Sequence, residues 1–262
     1  MSTTTTQTQT VTADNVLRLF PDVETTVHAT HTSATAGGEL QGYDAEQVRL
    51  MEEMCIVLDD NDIPIGRANK KVCHLMKNID SGLLHRAFSV FLFDSNNKLL
   101  LQQRAHEKIT FPDMWTNTCC SHPLDEPGET GVGAEAVEGA KRAAQRKLDQ
   151  ELGIKAAEVP IDKFRFLTRI HYKAPCGDGV WGEHEIDYIL IIKTDVDHTN
   201  NPNEVRDSKF VSQDELRTMF KDPSLKFTPW FKLICESMLY KWWDNLDQGL
   251  DQYTGEKEIR RM

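Results

Sequence analysis

A mixed α+β fold is what this sequence predicts, and three observations carry the prediction. Ile186, Tyr188, Leu190 and Ile192 fall at period two along 183–196, opposite Glu183, Glu185 and Asp187, the mark of a strand. Apolar residues recur at helical spacing from Ala134 to Leu152. Strand-like and helix-like segments also follow one another without regular βαβ alternation, so a mixed sheet with helices packed on it fits better than a doubly wound fold. With 262 residues, 39% of them hydrophobic, the chain can bury one sizeable core.

Residues 1–45 hold few large apolar side chains and many Thr, Ala and Gly; they are expected as a poorly ordered tail with a short helix at 13–19, and 46–262 as a single domain. Cys55-Ile-Val-Leu58 and Ile63-Pro-Ile65 read as short strands about the turn Asp59-Asp-Asn-Asp62. A short helix over 69–76 would put Lys70 and His74 on one face. Ala87 to Phe93 and Lys98 to Arg104 read as a hairpin around Asp94-Ser-Asn-Asn97. The helix 134–152 aligns Val137, Ala140, Ala144, Leu148 and Leu152, makes neighbours of Lys147 and Glu151, and stops at Gly153. Strands 164–173 and 183–196 should pair across a Gly-rich loop. The second would carry Ile186, Tyr188, Leu190 and Ile192 on one face and Glu183, Glu185 and Asp187 on the other. Ser212-Gln-Asp-Glu215 is a capping box, and Thr228-Pro229 opens a long helix reaching about Leu246.

A formal charge of -11 argues against a general nucleic-acid or membrane-surface binder, so an anionic substrate would need a locally basic pocket. No run approaches the roughly eighteen apolar residues of a membrane span, and the N-terminus has neither a signal-peptide nor a transit-peptide pattern; a cytoplasmic protein is expected. The ending Arg260-Arg-Met262 departs from the peroxisomal S-K-L address. Six cysteines without a C-x-x-C pair are expected as free thiols. A monomer is the default.

Several constellations could carry chemistry. His74, His85 and His122, with Glu183 and Glu185, offer the mixed N/O donors of a first-row divalent ion, and two carboxylates at i and i+2 of a strand stand about 7 Å apart on one face. Unaided, scattered histidines are more often ordinary core or surface residues. Trp115-Thr-Asn-Thr-Cys-Cys-Ser-His-Pro123 sets a thiol two residues from an imidazole; a structural turn with a buried Cys pair is the bland reading. Lys70, Arg86, Arg104 and Lys108 flank these segments and could clamp phosphate. Trp230 could face a cation through its ring, although core packing is the commoner use.

Leu84-His-Arg-Ala-Phe-Ser-Val-Phe-Leu-Phe93, Trp115 to Pro123 and Trp181-Gly-Glu-His-Glu-Ile-Asp-Tyr188 closely resemble the type I isopentenyl-diphosphate isomerases of eukaryotes, and the likeness runs from about Ala45 to the C-terminus. The resemblance implies a Nudix-type α/β/α sandwich with an added N-terminal segment and a long C-terminal helix. It implies metal ligation by His74, His85, His122, Glu183 and Glu185, with Glu151 helping to hold a Mg²⁺ bridged to the diphosphate. Lys70, Arg104, Lys108 and Lys147 match diphosphate-facing or basic positions, Cys120 the catalytic thiol with Cys119 its non-catalytic neighbour, and Tyr172 and Trp230 an active-site phenol and indole.

The implied reaction interconverts isopentenyl and dimethylallyl diphosphate through a tertiary carbocation, with Glu185 and Tyr172 handling one proton and Cys120 the other. The ion at the His/Glu site is left open among Mg²⁺, Mn²⁺ and Zn²⁺. A Nudix hydrolase of a nucleotide diphosphate is the first alternative. In Arg146-Lys-Leu-Asp-Gln-Glu-Leu-Gly-Ile154, however, Lys147 and Gln150 stand where that signature has two metal-binding glutamates. A non-enzymatic metal-binding module is the second; it leaves the basic residues unexplained.

Overall fold

The computed structural model describes residues 10–25 and 38–262. In chain order the elements are α1 (Val16–Leu19), α2 (Ala45–Leu50), β1 (Met54–Leu58), β2 (Pro64–Asn69), α3 (Lys70–His74), α4 (Met76–Ile79), β3 (Leu84–Phe93), β4 (Leu99–Arg104), β5 (Trp115–Thr116) and β6 (Cys119–Ser121). There follow α5 (Ala134–Leu152), β7 (Arg165–Pro175), β8 (Gly182–Lys193), β9 (Val205–Val211), α6 (Gln213–Met219), α7 (Pro229–Ile234), α8 (Tyr240–Trp243) and β10 (Ile259–Arg261).

The sheet is mixed, as expected. Its main path runs β10-β7-β8-β3-β1-β2, with β3 parallel to β8 from His85↔Glu185 to Phe93↔Lys193 and the other edge of β3 taken by β6. Every residue of β3 is buried because the sheet is covered on both faces. Leu84, Phe88, Val90 and Leu92, with Ile186, Tyr188, Leu190 and Ile192 of β8, pack against Ala136, Ala140, Ala144 and Leu148 of α5. Phe91, Phe93, Ile189 and Ile191 point the other way, into a core closed by Trp230, Phe231, Ile234 and Leu239. This is a three-layer α/β/α arrangement, and the period-two alternation along β3 and β8 creates it.

α5 has the expected limits, and Gly153 ends it in the left-handed region at φ 67°, where an L side chain would be strained. The capping box at Ser212 forms as expected. Three expectations need correction. The hairpin of 87–93 with 98–104 keeps its turn, fixed by Asp94 Oδ1 accepting from the backbone of Asn96 and Lys98 at 2.9 and 2.7 Å. Its strands pair only at Phe93↔Leu99, because β6 occupies the edge of β3 and β4 pairs with β9 instead. The helix expected from Thr228 to Leu246 ends at Trp243 and contains a π-helical turn, Cys235–Leu239, between α7 and α8. The helix expected over 69–76 breaks at Leu75 into α3 and α4, with Asn69 capping α3 through Val72 N–H.

Within the stretch expected as a tail, residues 10–25 lie against the domain. Val11, Val16, Phe20 and Val23 are buried with Cys55, Val57, Ala68, Val72 and Cys73 behind α3, and Glu24 forms a bridge with Arg67 and an ion pair at 3.0 Å. The close approach needs Gly66, whose added Cβ would stand 2.8 Å from the Glu24 carbonyl oxygen. Residues 1–9 and 26–37 lie outside the described residues.

Candidate active site

Three local rules converge on one pocket. α3 sends His74 inward, and its Nδ1–H donates to the Lys70 carbonyl at 2.6 Å, which turns Nε2 toward the interior. On β3, His85 lies on the face opposite Phe88 and directly beside Glu185 of the parallel strand β8. On β6, Cys119 pairs with Val90 and Cys120 with Ser89, so the two thiols point to opposite faces; His122 follows Cys120 by two residues and shares its side.

The ligating atoms of His74, His85, His122, Glu183 and Glu185 all lie within 4.8 Å of one another, and all five residues are buried. The three imidazole centroids are 4.8 to 4.9 Å apart. His74 Nε2 faces Glu183 Oε2 at 2.8 Å, yet neither atom has a hydrogen-bond partner, and both nitrogens of His85 are likewise unpartnered. A lone pair aimed at a buried carboxylate is unfavourable unless a cation lies between them. Burial pushes His74 down and His122 well down, toward the neutral form that ligates metal, whereas for His85 burial is outweighed by Glu185, which raises it. Two buried carboxylates gathered with three imidazoles, several of whose polar atoms lack a partner, therefore fit a divalent ion.

Glu185 also joins the proton-handling groups. It accepts from Tyr172 Oη through Oε2 in a short contact and faces His122 Nε2 at 2.9 Å through Oε1. Tyr172 stands directly opposite it across the β7–β8 ladder. Burial works against the Glu185 charge, but His85 and Tyr172 hold its carboxyl below the usual range. Burial and Glu185 push the Tyr172 phenol well up, so it stays protonated.

Cys120 lines the same pocket as Glu185, Tyr172 and Trp230, whereas Cys119 lies 3.5 Å from Glu151 Oε2 in the α5 layer. Burial pushes the Cys120 thiol up to about 12; Arg104 Nη1 and the Thr116 hydroxyl, each 3.9 Å from Sγ, act in the other direction. The Trp230 indole donates to Asn117 Oδ1 at 3.2 Å and receives the Phe111 ring edge-on at 5.1 Å. Phe111 itself sits at φ 49°, a left-handed conformation rare for an aromatic residue, so the loop around Thr110 holds strain beside the pocket.

Lys70, Arg104 and Lys108 also line this pocket, which concentrates basic charge in an acidic protein. Arg104 is held by the Thr110 and Phe111 carbonyls. Arg86, expected among these cations, is on the other face of β3. It is fully buried there against Asp62 at 2.8 Å, with Tyr188 and Arg169 completing the cluster. Lys147 and Glu151 lie outside the pocket lining, paired with each other at 3.3 Å on α5. Glu151 Oε2 additionally accepts from Gln102 at 2.9 Å, so its oxygens are engaged, unlike those of the His/Glu cluster. Thr110, Ser121 and Glu204 were not singled out by the sequence; Glu204 follows a polar Asn-rich loop that has no periodicity to mark it. No helix among the described residues is long and apolar enough to cross a membrane.

Residues 83–231 match the NUDIX domain family. The chain is 67% identical over 268 residues to the isopentenyl-diphosphate delta-isomerase of Aspergillus fumigatus, covering 96% of each chain. It is 65% identical to that of Gibberella zeae over the whole of both chains. Against the isopentenyl-diphosphate delta-isomerase 1 of Mesocricetus auratus it is 54% identical, over 84% of this chain and 96% of the relative. Identity of this extent over nearly the whole chain establishes that it belongs to the isopentenyl-diphosphate delta-isomerase family of Nudix-domain proteins.

Proposed function

We propose that this enzyme interconverts isopentenyl and dimethylallyl diphosphate by protonating one end of the allylic unit and deprotonating the other. The observation that carries the reading is that Glu185 with Tyr172, and Cys120, line one buried pocket that also holds the basic residues. Moving a double bond without net redox change requires two proton-handling groups flanking the substrate.

Glu185 and Tyr172 are assigned the proton at the terminal alkene carbon, and Cys120 as thiolate the proton at C2; the roles exchange in the reverse direction. Burial keeps the Cys120 thiol protonated in the free pocket, and Arg104 and Thr116, each 3.9 Å from Sγ, are the contacts that favour the thiolate needed to take up the proton. Trp230 presents its ring to the developing tertiary cation, and the buried surroundings of Phe111 and Tyr172 keep water from trapping it. Lys70, Arg104 and Lys108 grip the diphosphate.

His74, His85, His122, Glu183 and Glu185 would hold the divalent ion, which when bound supplies positive charge that orients Glu185 and eases release of a proton near it. Three imidazoles favour Zn²⁺ or Mn²⁺ over Mg²⁺ at that position. A Mg²⁺ entering with the diphosphate would have to displace Lys147 from Glu151.

Hydrolysis of a nucleotide diphosphate is disfavoured because Lys147 neutralises the helix position where an acidic cluster would be needed. The test is incubation of the purified protein, with each divalent ion, with isopentenyl diphosphate and separately with nucleoside diphosphate derivatives. Dimethylallyl diphosphate without phosphate release is expected. Phosphate or nucleotide release without isomer would overturn the proposal.

A further inference from the structure

Glu204 is a buried carboxylate, 2% exposed, on the far side of Lys108 from the pocket. Its Oε2 accepts from Lys108 Nζ in a short contact, and its Oε1 lies 4.0 Å from Lys147 Nζ and 3.5 Å from Gln150 Nε2. Its backbone is fixed as firmly: the Glu204 carbonyl accepts from Ala105 N–H at 3.0 Å, and its N–H donates to the Asn201 carbonyl at 2.9 Å. Neighbouring Asn203 is clamped by Gln47 Nε2, at 2.7 Å to its side-chain oxygen, and donates to Asp44 Oδ1 at 2.9 Å. Helix α5, strand β4 and the segment around α2 therefore converge on one turn.

Lys108 is also the wall between the pocket and an outer cleft lined by Tyr43, Asp44, Met114 and Cys176. A lysine is a charge on a long flexible stem, and burial without a counter-charge drives it either to lose its proton or to swing into solvent. The outer cleft offers such an exit.

We infer that Glu204 is a positioning residue for diphosphate binding, holding Lys108 charged and aimed at the pocket. The inference rests on the assignment of Lys108 to the diphosphate. Glu204 touches no reacting atom, so its effect falls on binding rather than on the proton transfers. Burial lowers the proton affinity of Lys108, and Glu204 is the group that opposes this most.

The test is steady-state kinetics of the full chain with isopentenyl diphosphate for Glu204→Gln, Lys108→Ala and the double variant, with thermal unfolding to check folding. Glu204→Gln is expected to raise KM about ten-fold or more while kcat stays within about three-fold, and the double variant to be little worse than Lys108→Ala. A KM within about two-fold of the parent in folded Glu204→Gln, or KM effects that multiply in the double variant, would overturn the inference. Should Glu204→Gln not fold, Asn203→Ala loosens the same turn and is expected to raise KM about three-fold; an unchanged KM overturns it equally. An unaltered KM in Lys108→Ala would remove the diphosphate role of Lys108 and this inference together. An impaired Lys108→Ala beside a normal Glu204→Gln removes the inference alone.

Discussion

Replacing Glu183 by glutamine separates the cost of the His/Glu cluster from its use. The carboxylate oxygens of Glu183 and Glu185 approach within 4.8 Å, and at an effective dielectric constant near 20 their mutual repulsion is about 3.5 kcal/mol. The contact with His85, which the carboxylates hold up, offsets part of it, leaving ~1–2 kcal/mol to be recovered when one charge is removed in an isosteric change. In a chelator, Glu183→Gln should therefore melt a few degrees above the parent, at roughly 2–4 °C per kcal/mol for a domain of this size. With saturating Zn²⁺ or Mn²⁺ the order should reverse. The parent gains stability from binding, whereas the variant binds about 100-fold or more weakly and gains little. Differential scanning fluorimetry across an ion titration reads both effects. A variant that melts below the parent in chelator, yet shifts as much with ion, would refute the reasoning.

The alternating register of β6 requires Cys120→Ala to lower kcat by a factor of about a thousand or more, while Cys119→Ala keeps most activity and loses only about 1 kcal/mol of stability from the α5 layer. Loss of turnover confined to Cys119→Ala would reverse the assignment. Tyr172→Phe removes the donor to Glu185 without altering packing and is expected to lower kcat about ten- to a hundred-fold with little change in KM, measured by direct isomer formation. For stability against acid, Glu204 has a folded-state value held below its ordinary 4.5, so its contribution is present above that pH and lost as pH falls beneath it. Urea midpoints of the parent should drop faster below about pH 4.5 than those of Glu204→Gln, by up to about 1.4 kcal/mol per pH unit in unfolding free energy.

What was legible in the sequence was local. The period of 183–196 placed Glu183 and Glu185 on one face, and the stripe from Val137 to Leu152 with Gly153 fixed α5. The parallel pairing that sets His85 beside Glu185 joins residues a hundred positions apart, and no local pattern encodes it; here the family resemblance supplied what periodicity could not. Arg86 follows the same strand alternation. One residue after His85 on a strand, it has to point to the opposite face, where Asp62 receives it. Glu204 carries no signal of its own, because its importance comes from the turn that α5, β4 and the α2 region fold around it. Packing of residues 10–25 on β1 and β2 was likewise hidden by their polar composition: Val16, Phe20 and Val23 stand at i, i+4 and i+7, but this single short turn is flanked by Thr, Asn and Asp.

The central claim is a pocket that adds a proton on one side of the allylic unit and removes one on the other. Incubation of the ion-loaded enzyme with isopentenyl diphosphate in D₂O, followed by NMR, tests it most directly. The parent is expected to place deuterium in a methyl group of dimethylallyl diphosphate, and Glu185→Gln and Cys120→Ala to lose turnover by about a thousand-fold or more. Isomer formed without solvent deuterium, or unimpaired turnover in either variant, would contradict it.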